Sequence, residues 1–295
     1  MAVSVAAPKT PLAIWSLRLS LFSICLIVTA LLLHRFAGFP TALLLNTLKV
    51  GFVLTAAAVV LAVTAIVIIW RTGVAGTPRA IAGLLLSVLV FAGPAAVIPM
   101  ALRLPMIDDI TTDPANPPQF RRAADIRATG ANSTRYPGTD AAKAQNEAYP
   151  YIKPIIVDRS IQEAYELARS VAKRLGWKIV ASEPPSGPNA HSARIEASDK
   201  TLILGFVDDA VIRITGNARA ALIDLRSASR YGRHDFGRNA ARIEEFTRMF
   251  KTRLQETVSI ADERAAARAG KKKHRRTSKA KRRRASRRRR RRRRK

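Results

Sequence analysis

The chain has 295 residues, with 51 Lys and Arg against 21 Asp and Glu, for a formal net charge of +30. The last 25 positions hold 19 of those basic residues and no acid, so the rest of the chain is only mildly basic. Cys25, the single cysteine, excludes an internal disulfide and a cysteine-rich zinc site.

In chain order, the first apolar segment is "IWSLRLSLFSICLIVTALLL" at 14–33. Arg18 sits near its start, where a long side chain can reach the interface. "LLLHRF" follows rather than a small-residue cleavage pattern, so the segment reads as an uncleaved anchor. "HRFAGFPTALLLNTLK" then reads as an interfacial loop or half-helix. The second span, 50–70, is 21 residues without a charge and ends on Trp70 and Arg71, as an interfacial belt does. The third, 80–102, is uncharged and contains Pro94 and Pro99, which are expected to kink its later half. Basic residues barely favour one side: Lys9, Arg18, Arg71 and Arg79 against Arg35, Lys49 and Arg103. The acidic "IDDITTD" after the third span leans toward an exit on the outer face, hence a multi-pass inner-membrane protein with a periplasmic domain.

Residues 106–150 read as a Pro-rich linker and surface loop, 151–258 as a folded domain and 259–295 as a disordered polybasic tail. Within the domain, 155–157 is a short strand, and Ser160 with Glu163 forms a capping box that opens a helix ended by Gly176. "WKIVASE", "ARIEAS", "TLILGFV", "AVIRIT" and "ALIDLRSAS" read as successive strands, with "DK" and "DD" (Asp208, Asp209) as tight turns. A last helix covers about 239–258, with Ile243, Phe246, Phe250 and Leu254 on one face. Consecutive strands and few helices predict an α+β domain: an antiparallel sheet with two helices on one face, attached to three transmembrane helices.

The densest polar stretch is "IDLRSASRYGRHDFGRNAARIEEF", 223–246. Alternation puts Asp224 and Arg226 on one side of the strand and Ser227 and Ser229 on the other. Arg238 and Arg242 share a helical face beside a helix N-terminus, a place that suits a phosphate or carboxylate. Three readings stand: an Arg–Asp network that holds the fold, an anion or ligand site, or catalysis. The residues of the anion site would be Arg226, Ser227, Ser229, Arg230, Arg238, Asn239 and Arg242, framed by Asp224, Gly232, Asp235 and Gly237. Ser229, His234 and Asp235 resemble triad ingredients, but no nucleophile elbow accompanies them, so no catalytic residue is assigned. No metal site or cofactor is implied: His191 and His234 are the domain's histidines, and a phosphate-binding glycine loop is absent.

The pattern carried by Asp224, Arg226, Ser227, Ser229, Arg230, Gly232, Asp235, Gly237, Asn239, Arg242 and Ile243 resembles the hallmark of the bacterial family called domain of unknown function 1499. "TDPANPPQF" and "DRSIQEAYELARSVAKRLGWKIV" are similar to the same family, over roughly 111–254. The resemblance implies a fold unit and a membrane-anchored envelope context, not a reaction. The chain departs from it by lacking a Cys-containing entry motif and by adding the basic tail.

Together these features lead to a non-enzymatic membrane protein with an interaction or anionic-ligand-binding domain. The alternatives are an enzyme using His234 and Asp235 on an anionic envelope substrate, and a membrane tether for nucleic acid. The expected partners are the lipid bilayer and, through 271–295, polyanions: anionic lipid, lipopolysaccharide or nucleic acid, by charge rather than sequence readout. The sequence names no protein partner.

Overall fold

The computed structural model describes residues 10–187 and 191–257. The polybasic tail lies outside the described residues.

Three long helices come first: α1 (Pro11–Ala37), α2 (Thr41–Thr72) and α3 (Thr77–Arg103). Each is long and apolar enough to cross a membrane. Gly38 and Gly73 adopt the left-handed conformation that ends α1 and α2, and their amides bond back to Leu33 and Ile69 carbonyls. The segment expected as an interfacial loop or half-helix is mostly helix, shared between the end of α1 and the start of α2, with the turn confined to 38–40. Helix α3 runs through Pro94 and Pro99.

What these helices bury supports a lipid environment. The contacts between them are made by small residues: Ala13, Ser16 and Ser20 on α1, Gly51, Thr55, Ala58 and Ala62 on α2, Gly83 and Ser87 on α3. Ser20 meets Ser87 at 2.9 Å, and its hydroxyl donates to the Gly83 carbonyl at 2.9 Å. The bulky Phe22, Val53, Val60, Leu85 and Leu89 face outward. A bundle in water would reverse that distribution; in lipid, close backbone approach and interhelical hydrogen bonds hold the helices instead.

The soluble part is an antiparallel sheet built from β1 (Asp109–Thr111), β2 (Ile155–Val157), β3 (Lys178–Glu183), β4 (Ser192–Lys200), β5 (Val207–Gly216) and β6 (Ala221–Ser229). The order is β1-β6-β5-β4-β3, with β2 also paired to β6. Helix α6 (Ile161–Arg174), opened by the Ser160–Glu163 capping box, and helix α7 (238–257) lie on one face. Ile195, Ile212, Ile214, Ile223 and Leu225 meet Ala168, Val171, Phe246 and Phe250 there. Trp177 stacks on Phe246 with ring centroids 5.5 Å apart. The expected α+β architecture is present.

Two stretches differ from expectation. Residues 106–150, read as linker and loop, carry β1, the short helix α4 (Arg122–Ile126) and helix α5 (Thr139–Ala148). The buried Gln145 side chain from α5 accepts from the Thr111 amide and donates to its carbonyl, at 2.9 and 2.7 Å, so it pairs with the edge strand as a backbone would. Phe120 and Ala123 pack on the sheet's second face against Val211 and Ala228. Meanwhile "TLILGFV" is not a strand. Residues 201–206 form the turn between β4 and β5, and Asp208 and Asp209, expected as the turn, lie buried within β5.

Candidate functional site: the arginine-rich strand, turn and helix

Strand β6 sends its side chains alternately to the two faces of the sheet, so the candidate residues separate into two networks. On the second face, Arg226 is fully buried. Its Nε and Nη2 donate to both carboxylate oxygens of Asp109, the shortest at 2.7 Å. Nη1 donates to the Pro118 carbonyl and Nη2 also to that of Thr134. The guanidinium lies 4.7 Å from the Phe120 ring centroid and 5.4 Å from that of Tyr136. Asp224 on the same face accepts from Arg213, which also donates to Asp113. Arg230 and Arg127 converge on Asp209, at 2.7 and 2.8 Å. Burial pushes the Tyr136 hydroxyl up to about 12, with the Asp109 charge adding to the shift.

On the helical face, Ser227, Ser229, Asn239 and Arg242 do come together. Ser227 Oγ donates to Asn239 Oδ1 at 2.7 Å, and Asn239 Nδ2 donates to Ser229 Oγ at 3.0 Å and to the Asp108 carbonyl at 2.9 Å. Arg242 donates to Ser227 Oγ, Asn239 Oδ1, Asp199 and Asp208. Burial raises the Asp208 carboxyl, against the pull of Arg242 and a hydrogen bond from Ser229. These groups satisfy one another, as a buried polar cluster must.

The turn between strand and helix is held from both sides. Asp235 accepts from the Gly237 and Asn239 amides at 2.8 and 2.9 Å, and so occupies the donors at the start of α7 that an anion would use. His234 accepts the Phe236 amide at Nδ1, 3.0 Å away, which leaves Nε2 to donate toward the Ala101 carbonyl of α3 at 3.4 Å. Phe236 takes φ +52°, rare for a non-glycine residue, with its ring stacked on His234 at 4.5 Å. Gly232 and Gly237 take φ of +88° and +78°, and a Cβ at Gly237 would stand 3.0 Å from Leu104. Asp108 accepts from Asn132 at 2.6 Å, and its carboxyl is raised by burial and by the neighbouring Asp235.

Two arginines of the stretch stay exposed: Arg233, and Arg238, whose Nη2 lies 3.6 Å from Asp199. Both stand at the end of the domain that meets the apolar helices, where the ends of α1 and α3 add Arg35 and Arg103 and the end of β4 adds Lys200. Sequence reasoning missed Arg35, Arg103 and Lys200 as neighbours of the motif because they are remote along the chain. Among the described residues, no group of three or more His, Cys, Asp or Glu is placed to hold a metal ion.

Residues 109–250 match the family model described as "Protein of unknown function (DUF1499)". No curated protein matches the chain. Among solved structures, the vertebrate conserved region (VCR) of human METTL16 resembles 33% of this chain and 98% of its own, at 10% identity and a TM-score of 0.21. A likeness of that degree carries nothing further.

Proposed function

Since the chain belongs, through residues 109–250, to the family of unknown function DUF1499, we propose that it is a non-enzymatic, membrane-anchored protein whose domain rests on the bilayer surface and takes anionic headgroups. The observation that carries this reading is the basic collar of Arg35, Arg103, Lys200, Arg233 and Arg238 at the end of the domain facing the apolar helices. Each such residue beside an anionic surface contributes about 1 kcal/mol. Arg226, Arg230 and Arg242 stand behind the collar, with guanidinium donors directed at carboxylates, hydroxyls and carbonyls of the chain itself. They support the reading by holding the strand–turn–helix rigid, while Arg233 and Arg238 meet the ligand. His234, the residue an enzyme would use, has both ring nitrogens engaged: Nδ1 accepts from the Phe236 amide within the turn, and Nε2 faces the Ala101 carbonyl of α3.

The test is lipid retention. The purified full chain carries a countable number of anionic lipids by native mass spectrometry, and the Arg233→Ala/Arg238→Ala double variant carries fewer. An unchanged count overturns the headgroup reading. Turnover of an anionic envelope substrate that His234→Ala abolishes would favour the enzyme instead.

The domain is assigned to the periplasmic side of the inner membrane on the acidic exit of the third span. On that side the tail, 271–295, would bind lipopolysaccharide or anionic lipid rather than nucleic acid. A reporter fused after Gly270 and active on the cytoplasmic side alone would reverse this assignment.

A further inference from the structure

The turn between β4 and β5 is the least expected feature of the domain. Thr201 and Phe206 close it: the Thr201 amide donates to the Phe206 carbonyl at 2.8 Å, and Thr201 Oγ1 accepts the Phe206 amide at 2.9 Å. The Gly205 amide returns to the Thr201 carbonyl at 3.1 Å. The tip inside this closed ring is Leu202, Ile203 and Leu204, of which Leu202 is 81% and Ile203 82% exposed. A hairpin tip in water is ordinarily polar, built from Gly, Asn, Asp and Ser. Three consecutive exposed aliphatic residues on a preformed turn call for a partner.

The turn's position identifies that partner. Arg35 Nη1 donates to the Thr201 carbonyl at 3.4 Å, and Lys200 Nζ donates to the Arg35 carbonyl at 3.3 Å. The ring of His34 lies 5.7 Å from that of Phe206. The tip is thus tied to the last turn of α1, where the apolar helix ends and the exposed Leu32, Leu33 and Phe36 continue the same surface. Leu102 and Met106, at and just beyond the end of α3, are exposed as well.

We infer that residues 202–204 are a membrane-insertion finger: an aliphatic tip seated in the interfacial layer of the bilayer that α1 to α3 cross. The occupant is the lipid surface itself, because the finger is continuous with helices whose outward residues require lipid. Lys200 and Arg35 flank the tip at headgroup level, the arrangement of an interfacial anchor with basic residues above buried aliphatic ones. The finger would fix the domain's tilt and hold Arg233 and Arg238 toward the headgroups. This inference deepens the membrane-surface reading and rests on it, but depends on aliphatic burial rather than charge.

The test uses the full chain with Cys25→Ala, carrying one new cysteine labelled with a polarity-sensitive fluorophore. It is run in nanodiscs of zwitterionic phosphatidylcholine, with and without a shallow spin-labelled lipid. Ile203→Cys should emit blue-shifted light and lose most of its intensity to the spin-labelled lipid. Arg219→Cys, beyond the opposite end of β5 and about 30 Å from the tip at strand rise, should keep its intensity. Ile203→Cys that is open to aqueous iodide and untouched by the spin label overturns the inference. Protection from both quenchers also overturns it, since a second copy or another protein would then cover the tip. Adding Ile203→Asp to Leu202→Cys should restore the aqueous emission. Because these discs carry no anionic lipid, quenching at 203 reports insertion even if the headgroup reading fails, and the lipid count in the arginine variants reports the converse.

Discussion

Arg226 and Asp109 form a two-point ion pair on the second face of the sheet, Nη2 to Oδ2 at 2.7 Å, both side chains buried and 117 positions apart in the chain. The pair joins β6 to β1, and Phe120 and Tyr136 close over the guanidinium. Removing one member of a buried pair leaves the other charge desolvated and alone, which costs about 3–5 kcal/mol. Arg226→Ala is therefore expected to destabilise the domain by that amount and so to lower its urea midpoint, followed by Trp177 fluorescence in a chain with Trp15→Phe and Trp70→Phe. A variant that keeps its midpoint but loses an anionic ligand would make Arg226 a binding residue.

Arg242 makes a parallel prediction on the other face. It anchors α7 to Asp199 and Asp208, so Arg242→Ala should also destabilise the domain by roughly 3–5 kcal/mol. The two variants act on opposite faces of the sheet, and Arg226 and Arg242 have no hydrogen-bond partner in common, so their effects should add to within about 0.5 kcal/mol. Strong coupling in a double-mutant cycle would instead point to one common site.

The two glycines of the turn should respond differently. Both have positive φ, which costs an alanine roughly 1–2 kcal/mol. Around Gly232 a Cβ meets nothing nearer than the His234 carbonyl oxygen at 4.0 Å, whereas at Gly237 it meets Leu104 at 3.0 Å. Gly237→Ala should therefore be the more damaging in thermal unfolding; equal losses would show that Leu104 moves aside.

Asp108 gives a pH dependence. Its folded carboxyl is raised by burial and then by Asp235, so above the unfolded aspartate value of about 3.9 the native state holds more protons than the unfolded one. The group's contribution to stability accordingly falls as pH rises from there through the folded value. Asp108→Asn retains an oxygen for Asn132 and cannot ionise. The difference in stability between variant and parent should grow in the variant's favour across that window, measured by urea titration at several pH values. A difference that stays flat would mean that Asp108 titrates normally.

In the membrane region, Gly83 sits where a Cβ would come 2.7 Å from Ser16 Oγ and 2.9 Å from the Leu17 amide nitrogen of α1. Gly83→Val should therefore push α3 off α1 and lower the detergent-phase melting temperature, whereas Gly93→Ala, which meets nothing within 4 Å, should leave it unchanged. Equal effects would place the helix contact elsewhere.

Much of this was legible along the chain. The three spans follow from about 20 apolar residues each, the Ser160–Glu163 box from its spacing, and the two-sided distribution of Asp224, Arg226, Ser227 and Ser229 from strand alternation. Strand β1 was not legible: three residues have no periodicity, and their pairing with β6 closes across more than 110 positions. Asp208 and Asp209 read as a turn because two acids in a strand are unfavourable unless paired, and their partners Arg242, Arg127 and Arg230 arrive from remote segments. The 201–206 turn was misread for the opposite reason, since aliphatic residues signal burial without saying in what.

The sequence by itself determined that this protein has three lipid-compatible helices, an α+β domain of a specific family and an arginine-rich motif, because hydrophobic run length, alternation and capping are local properties. The tertiary structure alone decided what the arginines face. It separated Arg226 and Arg230 from Arg242 by the thickness of a sheet, matched each with carboxylates remote in the chain, and left Arg233 and Arg238 beside the helix ends. Ion pairs and surfaces depend on distances in space, and spacing along the chain sets those distances only within a helix, a strand or a turn.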